Sequence, residues 1–240
     1  MSSGIVIIPT YNEIENIESI VRAVFSLEKT FHILIVDDNS PDGTAQKVVE
    51  LQTEFSEKLF LEVRKKKSGL GTAYVHGFKW ALQRNYEFIF EMDADFSHNP
   101  KDLERLHEAC LNGADLAVGS RYVIGVNVVN WPLSRVLLSY FASVYVRMIT
   151  GMKIMDATAG FICYKKHVLE TINLDKIKFI GYAFQIEMKY RAFAKKFNIQ
   201  EVPVIFTDRT KGQSKMSGAI IKEAVFGVLS LRIKKFFNRL

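Results

Sequence analysis

The stretch DADFSHNP, residues 93–100, sets two carboxylates, Asp93 and Asp95, one residue apart at the end of an apolar run. At a strand end both acids can look into the same crevice. Paired hard oxygen donors suit Mg2+ or Mn2+, which take few protein carboxylates and complete their shell with substrate phosphates. An isolated D-x-D can equally be a solvated loop capping the helix after Pro100, because acids are stabilised at helix N-termini. A second acidic stretch, VDDNSPDGT at 36–44, also follows an apolar run. Asp37 and Asp38 repel each other there, so a purely structural turn has little use for the pair. PTYNE adds Pro9, Tyr11 and Glu13. Tyr11 could stack on a nucleobase while Glu13 accepts from a base or ribose, or Asn12 could simply cap the next helix.

These residues need a scaffold that brings them together. GIVIIP (4–9), FHILIVD (31–37), LFLEVR (59–64), EFIFEMD (87–93) and ADLAVGS (114–120) read as strands. Between them Ile14, Ile17, Ile20, Val21 and Val24 recur at helical spacing, as do Leu103, Leu106 and Cys110. Strand and helix in alternation imply parallel pairing with crossover helices, hence a doubly wound α/β sheet. Ligands then collect outside the carboxyl ends of the strands. PTYNE, DDNSPDG, KSGLGTA, DADFSHNP and GSRY follow the five strands in turn and converge on one rim. After residue 130, WPLSRVLLSYFASVYVRMIT (131–150) reads as an apolar helix, GFICYKK as a strand, FQIEMKYRAFAKKF as a helix and IQEVPVIF as a strand.

The chain of 240 residues carries a net charge of +6, from 32 Lys and Arg against 26 Asp and Glu, which favours anionic partners. Its basic residues do not interleave with aromatics on one platform, so nucleic acid is not expected as a partner. Cys110 and Cys163 fit neither a disulfide framework nor a metal-ligand spacing, and a reducing compartment is expected. MSSGIVIIPTYNE lacks the basic and long apolar regions of a secretory signal. No run reaches the roughly 20 apolar residues of a membrane span. GLGTAYVHG fails the phosphate-loop pattern, and Tyr74 stands where a dinucleotide fingerprint wants glycine. His76 and His98 have no base-orienting partner visible in the sequence.

IVIIPTYNE, VDDNSPDGT, GLGTAY, DADFSHNP and GSRY, in this order and spacing, resemble the family 2 inverting glycosyltransferases. Within them the chain is similar to the dolichyl-phosphate (polyprenyl-phosphate) mannosyltransferases. DATAGF (156–161), GYAFQIEM (181–188) and FTDRTKGQSKM (206–216) carry the resemblance through nearly the whole chain. It implies a GT-A nucleotide-sugar transferase fold, with a mostly parallel sheet, that moves mannose from GDP-mannose to a polyprenyl phosphate. By resemblance, Pro9, Tyr11, Glu13, Val36 and Asp38 match the nucleoside pocket, and Asp93, Ala94 and Asp95 the diphosphate and metal motif. Asp95 would ligate Mg2+ or Mn2+. Ser97 stands where some relatives carry a glutamine near the metal. Arg121, Arg209 and Lys215 match cations around the donor and acceptor phosphates, and Gln185 and Glu187 an element that holds the sugar or orders the site. Asp38 would then hold the nucleoside, while Asp37 turns into the loop.

An ionised lipid phosphate can attack C1 of the sugar directly, so no strong general base is needed and the anomeric centre inverts. Arg135 and Ser139 lie four apart on the apolar helix, with Ala142 and Val146 close to the same line. With Arg121 they are expected to hold the lipid phosphate. Residues 1–218 are expected to form the catalytic domain and 219–240 a basic amphipathic helix. Its stripe is Phe226, Leu229, Ile233, Phe236 and Leu240, with Arg232, Lys234, Lys235 and Arg239 off it. Such a helix can lie among lipid headgroups, on the domain, or on an integral-membrane partner subunit. The expected location is peripheral, on the cytoplasmic face of a membrane. The rival readings are a UDP-glucose-dependent transferase acting on the same acceptor, and a nucleotide- or lipid-binding accessory protein without turnover.

Overall fold

A computed structural model describes residues 3–181, 183–208 and 227–233. The five expected strands form as β1 (Gly4–Thr10), β2 (His32–Asp37), β3 (Leu59–Val63), β4 (Phe88–Glu91) and β5 (Leu116–Ser120). Four crossover helices alternate with them: α1 (Ile17–Phe25), α2 (Thr44–Gln52), α3 (Leu70–Gln83) and α4 (Asp102–Leu111). The remaining elements are β6 (Val128–Val129), α5 (Leu133–Thr150), β7 (Ile162–Lys165), α6 (Lys166–Thr171), a short 3-10 helix (Leu174–Lys176), α7 (Ala183–Ala194), β8 (Ile199–Pro203) and β9 (Phe206–Thr207).

The main sheet runs β3-β2-β1-β4-β7-β5-β8, and β6 pairs with β9 apart from it. Every pairing in the main sheet is parallel except those of β7, which lies antiparallel between β4 and β5. Because β7 runs against its neighbours, its amino-terminal end reaches the rim where the parallel strands end. The loop before it, residues 156–161, therefore joins the acids at that rim.

Strand side chains alternate between the two faces. Val6, Ile8, Ile33, Ile35 and Phe90 meet α1, α2 and α4, while Ile5, Ile7, Leu34 and Ile89 meet α3, α6 and α7. In α1 the spacing of Ile17, Ile20, Val21 and Val24 puts all four against the sheet, fully buried. Each such side chain contributes about 1.5–3 kcal/mol of burial. Helix α3 sits close to the sheet because Gly77 faces Ile7, where an added Cβ would lie 2.6 Å from Ile7 Cγ2. Helix α7 is buried from Ala183 to Ala192, between the sheet and a third cluster containing Val146 of α5.

Residues 227–233 are helical. Their packed edge is Val228 and Leu231, against α5 and α7, whereas Leu229 and Ile233 of the expected stripe are exposed. The other stripe positions, Phe226, Phe236 and Leu240, and the basic Lys234, Lys235 and Arg239 lie outside the described residues.

Candidate active site

At the β1 and β2 ends the two aspartates divide their work. Asp37 is fully buried and accepts from Thr10 Oγ1 at 2.7 Å, Ser40 N at 2.8 Å and Ser40 Oγ at 2.6 Å. It therefore holds the turn, as expected. Asp38 Oδ1 instead accepts from Arg64 Nε at 2.5 Å. Arg64, just beyond β3, also donates to Thr72 Oγ1 at 2.8 Å and so ties three strand-end loops together. Val36 is buried opposite Pro9 in the β1–β2 register.

The next turn docks on the first. Asp42 Oδ2 accepts from Ile14 N at 3.1 Å, and Thr44 Oγ1 from Glu13 N at 3.0 Å. Tyr11 stays half-exposed with the Lys67 ammonium 4.1 Å from its ring centre. Asn12 does not cap α1. It has φ +60°, its N–H donates to Ser40 Oγ at 3.0 Å, and the helix begins four residues after Glu13. The chain needs a left-handed residue there, a conformation asparagine tolerates.

At the β4 end, Asp95 is buried and its Oδ1 accepts from Ser97 N at 3.0 Å and Ser97 Oγ at 2.5 Å. Ser97 thus orients the carboxylate. Asp93 accepts from the Tyr74 hydroxyl at 3.4 Å, and its N–H donates to His98 Nδ1 at 3.2 Å. His98 stacks on Phe161, with ring centres 4.8 Å apart. Burial draws its pKa down to about 4, against the pull of Asp95. It is a neutral imidazole that anchors the Asp93 backbone. Ala94 between the two acids is buried.

Arg121, at the β5 end, is gripped by Asp156 from the loop before β7. Nε donates to Asp156 Oδ2 at 2.7 Å, Nη2 to Oδ1 at 2.6 Å and the Arg121 N–H to Oδ2 at 3.0 Å. Thr158 Oγ1 accepts from Nη2 at 2.8 Å. Burial would raise the Asp156 carboxyl, but the guanidinium charge and its hydrogen bonds hold it below the ordinary carboxylate range. The rings of Tyr122, Trp131 and Phe206 surround the guanidinium at 5.2–5.5 Å. Arg135 donates to Asp208 at 2.8 Å and lies 4.0 Å from the Trp131 ring centre.

A cavity of about 320 Å³ opens beside the β4 and β5 ends. Asp93, Ser97, His98, Arg121 and Gln185 line its polar end, and Arg135, Ser139, Ala142 and Val146 form a line along α5. The structure thus gathers Arg121, Arg135 and Ser139 at one cavity. Arg209 and Lys215 lie outside the described residues.

Gln185 and Glu187, both on α7, part company. Gln185 lines the cavity and donates from Nε2 to Glu91 Oε2 at 2.5 Å. Glu187, two residues on and fully buried, accepts from Lys178 N, Phe179 N and Arg191 at 2.7–3.1 Å. Its carboxylate orders the segment before α7 and does not line the cavity. Beneath Gln185, burial pushes the Glu91 carboxyl up to about 7, opposed by the Gln185 hydrogen bond and Lys189. Burial draws Lys189 down to about 8, with Glu91 and Asp156 opposing. Sequence reading assigned no role to Arg64, Glu91, Asp156 or Lys189. A lone acid inside FIFEM was the available hint for Glu91.

Residues 5–172 match the model of glycosyl transferase family 2. The chain belongs to that family. Over 235 residues it is 47% identical to polyprenol monophosphomannose synthase of Mycolicibacterium smegmatis, covering 98% of this chain and 89% of that one. It is 44% identical to undecaprenyl-phosphate mannosyltransferase of Micrococcus luteus, covering 92% of this chain and 90% of the relative. Dolichol-phosphate mannosyltransferase of Pyrococcus furiosus is 38% identical over 91% of this chain and 60% of the relative. Among solved structures, glucosyl-3-phosphoglycerate synthase of Mycobacterium tuberculosis, with Mn2+, UDP and glucosyl-3-phosphoglycerate, matches at TM-score 0.68 and 14% identity. That match covers 96% of this chain and 78% of that one. S. aureus TarS 1-349 with UDP-GlcNAc matches at TM-score 0.68 and 20% identity, over 99% of this chain and 67% of that one. At those identities the likeness concerns the GT-A fold of this family.

Proposed function

We propose that this family 2 glycosyltransferase transfers mannose from GDP-mannose to a polyprenyl phosphate, inverting the anomeric centre to give a β-linked product. The observation that carries the reading is one cavity with Asp93 and Arg121 at one end and an apolar helix face along its length. A soluble sugar acceptor has no use for the apolar part, whereas a lipid phosphate uses both. The names of the three curated relatives support the acceptor and the sugar.

Asp38, Tyr11, Glu13, Pro9 and Val36 would take the nucleoside. Asp93 and Asp95 would face the diphosphate. Among the described residues no three His, Cys, Asp or Glu side chains gather as a metal cage. Two carboxylates nevertheless fit Mg2+ or Mn2+, whose shell substrate phosphate and water complete. When bound, such an ion would neutralise charge developing on the leaving diphosphate.

The protein's own part is positioning. Arg121, Arg135 and Ser139 would orient the acceptor phosphate, with Arg209 and Lys215 proposed to contact phosphate as well. The attacking oxygen is already ionised, so no base is required. His98 is held neutral, and His76 pairs with Glu62 at 3.0 Å.

No helix among the described residues is long and apolar enough to cross a membrane. Leu133, Leu137, Phe141 and Met148, spaced to share the outer side of α5, are exposed, as are Leu229 and Ile233. This supports peripheral attachment, proposed for the cytoplasmic face, with α5 beside the lipid chain. Sedimentation with anionic liposomes checks it, and protein left in the supernatant at low salt defeats it.

The deciding experiment incubates purified protein with polyprenyl phosphate and radiolabelled GDP-mannose, with UDP-glucose in a parallel arm. Label moving from GDP-mannose into the organic phase is the expected result. Label moving only from UDP-glucose replaces the donor, and none from either refutes transfer.

A further inference from the structure

Glu91 is a lone carboxylate on the inner face of a central strand. Its neighbours on the same face, Ile89 of β4 and Ile162 and Tyr164 of β7, belong to the apolar core. An acid placed there is costly, and an apolar residue of similar volume would be cheaper to bury. Features that break the local pattern in this way tend to mark functional positions.

What Glu91 does can be followed atom by atom. Its Oε2 accepts from Gln185 Nε2 at 2.5 Å, between the strand that leads into Asp93 and the helix behind the crevice. One turn along α7, the fully buried Lys189 donates from Nζ to the Ala159 carbonyl at 2.5 Å. Gly160 leaves room for the carboxamide, since a Cβ there would lie 3.3 Å from Gln185 Nε2. When ionised, the Glu91 carboxylate only accepts, and it then dictates which end of the carboxamide faces it. The amide nitrogen is committed to Glu91. The Gln185 Oε1 atom is left without a hydrogen-bond partner among the described residues, in a side chain that is 3% exposed and lines the cavity. Buried polar atoms seldom go unpaired, and an orphan acceptor at a cavity wall suits a ligand donor.

We infer that Glu91 is a positioning residue that fixes the Gln185 carboxamide so that Oε1 accepts from a hydroxyl of the transferred sugar. The inference rests on the proposed transferase reading and adds to it the residue that sets sugar recognition. Glu91 itself touches no substrate; it acts through Gln185. A carboxamide held the other way round would present N–H to the sugar, where a hydroxyl must then accept. A sugar hydroxyl placed to donate loses its acceptor in that arrangement, and only the first arrangement also keeps the Gln185 Nε2 to Glu91 Oε2 bond.

The test compares wild type with Glu91→Gln, Gln185→Ala and the double variant, using GDP-mannose and polyprenyl phosphate. Readouts are kcat and KM for the donor, GDP affinity by calorimetry and thermal melting. Glu91→Gln can flip the carboxamide, so kcat/KM for GDP-mannose should fall about tenfold, the worth of one hydrogen bond of about 1.4 kcal/mol. GDP, which lacks the mannose, should bind as to wild type. In the Gln185→Ala background Glu91→Gln should have no further effect, because interacting sites are non-additive. Should Glu91→Gln fail to fold, Glu91→Met takes its place with the same expectations.

An equal loss of GDP affinity would show a merely structural role and overturn the inference. A full Glu91→Gln penalty persisting in the Gln185→Ala background would do so too, as would kcat/KM within twofold of wild type. Failure of the transferase reading is separate, since wild type would then move no label.

Discussion

Replacing Asp156 by Asn tests whether the Arg121 pair is a device for holding a cation in place. Asp156 is fully buried, and all three of its contacts to Arg121 are within 3.0 Å. Removing one partner of such a pair leaves an uncompensated charge and costs about 3–5 kcal/mol. In a domain of this size each kcal/mol moves the melting temperature by about 2–4 °C, so a fall of roughly 6–20 °C is expected. The sign of the second step is more informative. Arg121→Met added to Asp156→Asn removes the orphaned charge, while the new amide oxygen can still accept the backbone N–H of residue 121. That double variant should regain at least half of the lost stability and still fail to transfer sugar. Urea and thermal unfolding measure the first effect and label transfer the second. A loss below about 1 kcal/mol for Asp156→Asn, or a double variant no more stable than the single, would refute the reasoning.

Asp95→Ala should lower transfer by about a hundredfold or more, as expected when charge stabilisation at a leaving group is lost. Initial rates with and without Mn2+ check this, and unchanged transfer would remove the metal from the proposal. His98 has its pKa lowered from 6.5 to about 4 in the folded chain, so its contribution to stability is present above about pH 6.5 and lost as pH falls through about 4. That shift corresponds to about 3 kcal/mol, and His98→Asn should flatten the acid limb of a pH–stability curve. Gly77→Ala places a methyl 2.6 Å from Ile7 Cγ2 and should cost about 1–3 kcal/mol in a denaturant melt.

The acids at the strand ends could be read from the chain because both signals are local. Apolar runs mark where each strand stops, and the acids follow immediately. The α5 line of Arg135, Ser139, Ala142 and Val146 was legible for the same reason, since helical period alone places them together. The partners of those groups were not. Asp156 lies 35 residues from Arg121, and Asp208 lies 73 from Arg135. Nothing within either segment announces the other. The first meeting depends on β7 inserting antiparallel between β4 and β5, and the second on β9 pairing with β6, choices of sheet position made by the whole core. In residues 227–233 the period pointed to Leu229 and Ile233, whereas packing against α5 and α7 buries Val228 and Leu231.

Pairing also bears on how the proposed reaction would work. Arg64 faces Asp38, Arg121 faces Asp156 and Arg135 faces Asp208, so three cations around the crevice are already matched with acids. A bare cation would attract a phosphate more strongly, but a long unpaired side chain samples many rotamers and must be ordered by the ligand. A paired one gives up some charge and keeps its place. For direct attack by a lipid phosphate, geometry is worth more than attraction: aligned reactants within contact distance can gain several kcal/mol of barrier lowering, on the order of 7–11 in favourable intramolecular cases. Surface steering supplies concentration, which a lipid confined to a membrane already has. The paired arginines are therefore better suited to aiming a bound phosphate than to capturing a distant one.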